Sequence, residues 1–237
     1  MNAEEFSNGF DTLVSSYRRF KDFDSQETLD SIEFNEYEKS FYLTKAQEEI
    51  VINIYSGKNP YGDSFEDTEE MRRYLENLVK TEVYSAEDQI SGTGVSANSV
   101  FYKLPEDIAF ITLEQVIYDD EALGCYNGSE ASVYPVTQDE YNTIKGNPFR
   151  GPTRYKVLRL DPGDNIVELV SKFKIGTYLL RYLSRPIPII LEDLPEDITI
   201  EGKQKKTECM LNPILHDTIL ERAVRLALQA KGIGVTK

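Results

Sequence analysis

The sequence predicts an α+β fold: an N-terminal helical hairpin, a central antiparallel β-rich region and a C-terminal helix packing on the helices. Three observations predict it. Residues 36–90 place apolar side chains at helical spacing, and residues 91–191 hold short runs rich in Val, Ile, Tyr and Thr between turn residues. Residues 211–231 form one strongly capped amphipathic segment. The chain accordingly divides into a 1–35 acidic N-terminal arm, a 36–90 helical part, a 91–191 β-rich part, and a 192–237 linker and C-terminal helix. The last of these forms one composite domain with the helical part. A chain of 237 residues is long enough to bury a core without staples.

In the arm, Phe10, Leu13, Tyr17 and Phe20 give a short helical stripe, and an irregular segment follows. Its aromatics, Phe6, Phe23 and Phe34 among them, suit either docking on a neighbour or folding back on the chain itself. Thr44 with Gln47 three residues on reads as a capping box. The helix it opens carries Ile50, Val51 and Ile54 and stops at Gly57. A helical or extended piece with Tyr37, Phe41 and Leu43 precedes it. After a turn-rich loop, Asp67 or Thr68 caps a second helix on which Met71, Tyr74, Leu75, Leu78 and Val83 follow the helical period.

Beyond the flexible connector SGTGVSANS, six strand-like runs follow. Thr137, with Glu140 at the third position, caps a short helix between two of them. DPGDN at 161–165 has the composition of a hairpin turn. In the terminal helix, Asn212 stands at the cap, Pro213 at the first helical position and Gly232 just past the end. Leu220, Val224 and Leu228 widen its apolar side to roughly 200°, where about 100° suffices for a surface helix. Either the helix is central to its own core, or it has two apolar neighbours, one of them supplied by another chain.

Charge is uneven along the chain. Residues 1–90 hold 9 Lys+Arg against 21 Asp+Glu, a balance of −12. Residues 151–237 hold 14 against 11, a balance of +3, within a total of −15. Such asymmetry suits copies packed side by side or end to end, and the overall acidity argues against a dedicated DNA binder. Two distant cysteines, Cys125 and Cys209, make neither a disulfide framework nor a zinc site. The polar, acidic N-terminus is not a signal peptide and no run approaches a membrane span, so a cytoplasmic origin and no membrane partner are expected.

Catalytic chemistry finds little support. The one histidine, His216, lies on the apolar side of the last helix and reads as a hydrogen-bonded core residue. Cys209 lies near it in sequence, but no third group is there to orient them. Gly92 and Gly94 fail the phosphate-loop patterns, and the 161–165 acids fail the calcium-loop spacing. No catalytic, cofactor-binding or metal-ligating residue is therefore assigned. The expected interface residues are Phe149 and Arg150, held at a turn between Pro148 and Pro152 that reads equally as a tight strand connection with Phe149 tucked in, together with Leu220, Val224 and Leu228.

Six segments, 37–57, 65–79, 135–152, 157–171, 178–191 and 211–228, occur in an order that resembles the virion ring proteins of crAss-like phages of Bacteroidales. That family is itself similar to the wider group of tailed-phage head-to-tail adaptors. The resemblance covers residues 36–231 and leaves the first 35 unmatched. It implies a virion structural protein of the tail or neck, assembled in the host bacterial cytoplasm, and not an enzyme. It further implies a homo-oligomeric ring, a dodecamer, below the portal protein and against other tail ring proteins. DNA would pass through such a ring without specific binding. The competing expectation is a non-virion phage cytoplasmic enzyme or regulatory protein, for which His216, Cys209 and a carboxylate would have to converge.

Overall fold

A computed structural model describes residues 1–21, 33–59 and 62–232. In chain order its elements are α1 (Ala3–Lys21), α2 (Glu36–Ser56), α3 (Glu69–Tyr74), β1 (Val79–Ser85), β2 (Ser99–Lys103), β3 (Ile108–Tyr118), β4 (Glu130–Pro135), α4 (Gln138–Ile144), β5 (Lys156–Gly163), β6 (Ile166–Val170), β7 (Ile175–Ser184) and α5 (His216–Ala230). The chain forms two compact units: residues 1–78 with 185–237, and residues 79–184. The whole is α+β.

In the first unit α5 packs against α2 and α1. α2 is one continuous helix from Glu36, so the expected start at Thr44 is replaced by one at Asn35. The Asn35 side chain accepts from the Glu38 amide, and the Glu38 carboxylate accepts from the Asn35 amide. Thr44 serves another purpose. Its hydroxyl donates to the Ile189 carbonyl and accepts from the Ile189 amide, at 3.3 and 3.1 Å. Ser40, one turn earlier, accepts from the Leu191 amide, and Gln47 donates to the Ile187 carbonyl. The proline-stiffened segment after β7 has few backbone partners of its own, and these buried side chains satisfy its peptide groups.

α1 folds back through Phe6, Phe10 and Val14, which are buried at helical spacing, while Leu13 and Tyr17 are only half-buried. Gly9 lies against Leu220: a Cβ there would come within 2.7 Å of a Leu220 methyl, so the absent side chain lets the helices approach. The Phe20 side chain and the expected irregular segment through Phe23 fall outside the described residues.

The expected second helix is shorter than its periodicity suggests. α3 ends at Tyr74, a 3-10 turn covers Glu76–Leu78, and Val79 opens a strand. Val79, Thr81 and Val83 are β-branched and alternate, and that period-2 pattern wins once β7 offers a partner edge.

The second unit is a mixed seven-stranded sheet of order β1-β7-β3-β4-β5-β6-β2. Its pairs are antiparallel except β4 with β5, so the expected all-antiparallel region is corrected at one place. The cause is α4, capped by Thr137 as expected, which returns the chain to the same end of the sheet as a crossover. The β5–β6 hairpin turns through Asp164 and Asn165, at φ 54° and 55°, the geometry of a type I′ turn. Val116, Val157, Leu169, Tyr178 and Leu180 fill the core on one side of the sheet.

Candidate assembly surface

The turn after α4 is built around Asn147. Its side-chain oxygen accepts from the Phe149 and Arg150 amides at 2.9 and 3.1 Å, and its carbonyl accepts from the Gly151 amide at 2.8 Å. A Cβ on Gly151 would lie 2.8 Å from that same carbonyl oxygen, so only glycine closes the turn. The flanking prolines are thus assisted by an Asn–Gly clasp that composition alone did not indicate. Phe149, held by this clasp, is 90% exposed. Fixing a large apolar side chain in water does nothing for the protomer, and a preformed aromatic is what a protein contact uses best.

Arg150 and its neighbours extend the surface. Arg150 pairs with Glu140 at 3.3 Å, and its carbonyl accepts from the Lys156 ammonium at 3.1 Å. Lys156 lies 4.9 Å from the Tyr134 ring centre. The Arg154 guanidinium lies over both Tyr126, at 4.1 Å, and Tyr155, at 4.4 Å. Tyr126, Tyr134 and Tyr155 are all exposed. The result is a set of exposed aromatic rings paired with cations, the composition enriched at interface hot spots. The sequence singled out Phe149 and Arg150 of this patch, and not Tyr126, Tyr134, Arg154, Tyr155 or Lys156. The β4–β5 parallel pairing, Ser132 opposite Lys156, brings these segments side by side.

The terminal-helix residues are placed differently. Leu220, Val224 and Leu228 are buried inside the protomer. Among the described residues α5 packs against α1 and α2 of the same chain.

Across its full length, residues 1–237, the chain matches the family model described as phage tail ring protein 3/4. It belongs to that family. The chain is 48% identical over 233 residues to ring protein 3 of Bacteroides phage crAss001, covering 98% of this chain and 96% of the relative. It is 33% identical over 239 residues to ring protein 4/5 of the same phage, covering 97% and 93%. Phage tail ring proteins are virion structural proteins, and the full-length match takes in the first 35 residues that the sequence resemblance had left unassigned.

Against that background the titratable core groups of this ring-family chain have structural explanations. The Cys209 thiol donates to the Gln47 side-chain oxygen at 3.3 Å, and burial pushes its pKa up, away from the thiolate. Both His216 ring nitrogens are engaged. The Met1 ammonium can only donate, so Nδ1 accepts from it at 2.6 Å and Nε2–H donates to the Leu211 carbonyl at 3.1 Å. Phe6 packs on the ring at 5.3 Å. In the 92–95 loop, the Val95 amide donates to the buried Glu168 carboxylate at 2.7 Å, where a phosphate loop would offer that group to an anion. Among the described residues no group of His, Cys, Asp and Glu is arranged to hold a metal ion, and no helix is long and apolar enough to cross a membrane.

His216 gives a pH-dependent prediction. Burial pushes its pKa below the ordinary value and the nearby ammonium adds to this, while the Leu211 bond, Asp217 and Glu5 oppose it. The unfolded chain therefore takes the proton first. The stabilisation is complete above about pH 6.5 and declines as pH falls from there toward the lower folded value. Thermal melts at pH 7.5 and 5.5 are expected to differ more for the natural chain than for His216→Gln. An equal difference in both would contradict this.

Proposed function

We propose that this protein is a structural subunit that joins copies of itself into a ring in the phage tail. As a head-to-tail connector below the portal, the ring extends the DNA channel from portal to tail. The observation that carries the reading is the full-length family match, joined to an exposed, preorganised aromatic knob with no use inside the protomer. Its partners are other copies, the portal protein and neighbouring tail proteins. The resemblance supports a dodecamer, assembled in the host bacterial cytoplasm. A net charge of −15 suits a conduit, because an acidic wall does not hold passing phosphates. The role is scaffolding, not catalysis.

In this proposal Phe149 and Arg150 are subunit contacts. Leu220, Val224 and Leu228 serve assembly by holding α5 in the helical unit, since their surface is already spent on it. Mass spectrometry of purified particles tests the whole reading: the protein is expected in multiple stoichiometric copies. Joint replacement Phe149→Ala with Arg150→Ala is expected to lower incorporation at least ~10-fold, since each hot-spot truncation costs about 2 kcal/mol or more. Absence of the natural chain from particles would favour a cytoplasmic enzyme or regulatory factor instead.

A further inference from the structure

A contact that propagates around a ring needs two different surfaces on each subunit, one to give and one to receive. The sheet unit presents an exposed aromatic at Phe149, and the helical unit holds a pocket. α2, α3 and the turn before α5 enclose a pocket of about 420 Å³. Its floor is apolar, with Ile50, Ile54, Met71 and Leu215 all buried, while Lys58 and the ion pair of Arg222 with Glu49 stand in its wall. That volume falls in the ~300–1,000 Å³ range of binding pockets and admits an aromatic ring.

Ile214 and Tyr74 form the rim, and Ile214 is 66% exposed. The same two residues also line a more polar hollow with Glu69, Glu70 and Glu76, against which stands one cation, Arg73. An apolar receptacle thus opens beside an acidic shelf. The Phe149 turn has the opposite charge: Arg150 follows Phe149 directly, Lys156 donates to the Arg150 carbonyl, and Arg154 lies over Tyr126 and Tyr155. Shape and charge are complementary between two regions of one sequence.

We infer that Phe149 of one copy enters the α2–α3–α5 pocket of the next, while Arg150 and Arg154 face its Glu69–Glu76 shelf. This rests on the ring reading above and adds to it the identity of both faces. The occupant of the pocket is a second copy of this chain. Ring insertion removes from water an aromatic side chain and an apolar pocket floor together, and the charges fix which partner and which orientation are accepted.

Two single-cysteine chains test it, in a background with Cys125→Ser and Cys209→Ser. One carries Pro148→Cys, beside an intact Phe149, and the other Ile214→Cys, both at exposed positions. Particles assembled in cells expressing both are treated with a short bismaleimide. A covalent dimer is expected from the mixture and from neither variant alone. A second arm measures self-association of the full chain by sedimentation. Phe149→Asp is expected to weaken it at least ~10-fold, or about 1.4 kcal/mol.

Particles that contain both variants but give no mixed dimer would overturn the knob-and-pocket contact and leave the ring reading standing. Absence of the natural chain from particles would remove the ring reading itself. Binding of a labelled DNA duplex at 150 mM salt, lost with Arg154→Ala, in particles without the mixed dimer would assign the aromatic patch to nucleic acid and overturn the inference.

Discussion

Replacing Val224 by Asp is expected to unfold the helical unit. Val224 is 0% exposed, on the face of α5 turned to its own chain. Removing the valine forfeits about 1.5–3 kcal/mol of apolar burial. The carboxylate must then lose its water or drag water into the core, at a further cost of several kcal/mol. Together these approach the whole of a typical folding stability of about 5–15 kcal/mol. Urea titration of the full chain, followed by far-UV circular dichroism, should show early loss of the helical signal. Phe149→Asp, at a 90% exposed position, should leave the titration within about 0.5 kcal/mol of the natural chain. The two substitutions introduce the same charge and separate folding from assembly. A natural midpoint for Val224→Asp would show that α5 is not enclosed as described.

The contrast also marks where sequence patterns inform and where they stop. The width of the apolar arc on α5 was readable from residue spacing, and the need for two neighbours followed from it. Which neighbours they are was not. α1 becomes a partner because Phe6, Phe10 and Val14 share a face and Gly9 admits Leu220, a match between segments two hundred residues apart. Short-range chemistry was the most legible. The Thr137 cap and the turn at Asp164–Asn165 each depend on a few adjacent residues and stand where spacing put them, whereas Asn212 caps the 3-10 turn Pro213–Leu215 that leads into α5 and not α5 itself. Thr44 was misleading because a Thr-x-x-Gln string describes a helix start equally well as two side chains aimed at the extended segment after β7. Only the tertiary partner, Ile187–Ile189, decides between them. Likewise Phe149 stood out through its prolines, whereas the cations and tyrosines around it are scattered over three segments. They meet only through the β4–β5 pairing, and parallel pairing leaves no mark within either strand.

A second large effect is expected at Glu114, in the sheet unit. Its carboxylate is buried, forms an ion pair with Arg159, and accepts from the Tyr178 hydroxyl at 2.5 Å. Burial pushes the Glu114 pKa up, with Arg159 and Tyr178 opposing, and burial likewise raises Tyr178. Because the folded value exceeds the unfolded one, this group favours the fold most below its ordinary pKa and loses that contribution as pH rises through the folded value. The neutral Glu114→Gln should therefore be the milder change: it keeps an acceptor for Tyr178 and discards the charge that burial disfavours. Glu114→Ala strands both partners. The Tyr178 hydroxyl loses its acceptor in a fully buried position, and Arg159 keeps only Asp161, which is largely exposed. Breaking one side of a buried ion pair costs about 3–5 kcal/mol, so the alanine variant should melt far below the glutamine one. Replacing all three groups together, Glu114→Leu with Arg159→Met and Tyr178→Phe, removes every orphan and should recover most of the loss. Differential scanning calorimetry at pH 7 orders the three. An alanine variant within 1 kcal/mol of the natural chain, or a triple variant worse than alanine, would contradict the account, because the cost is predicted to lie in the partners left behind and not in the missing carboxylate itself.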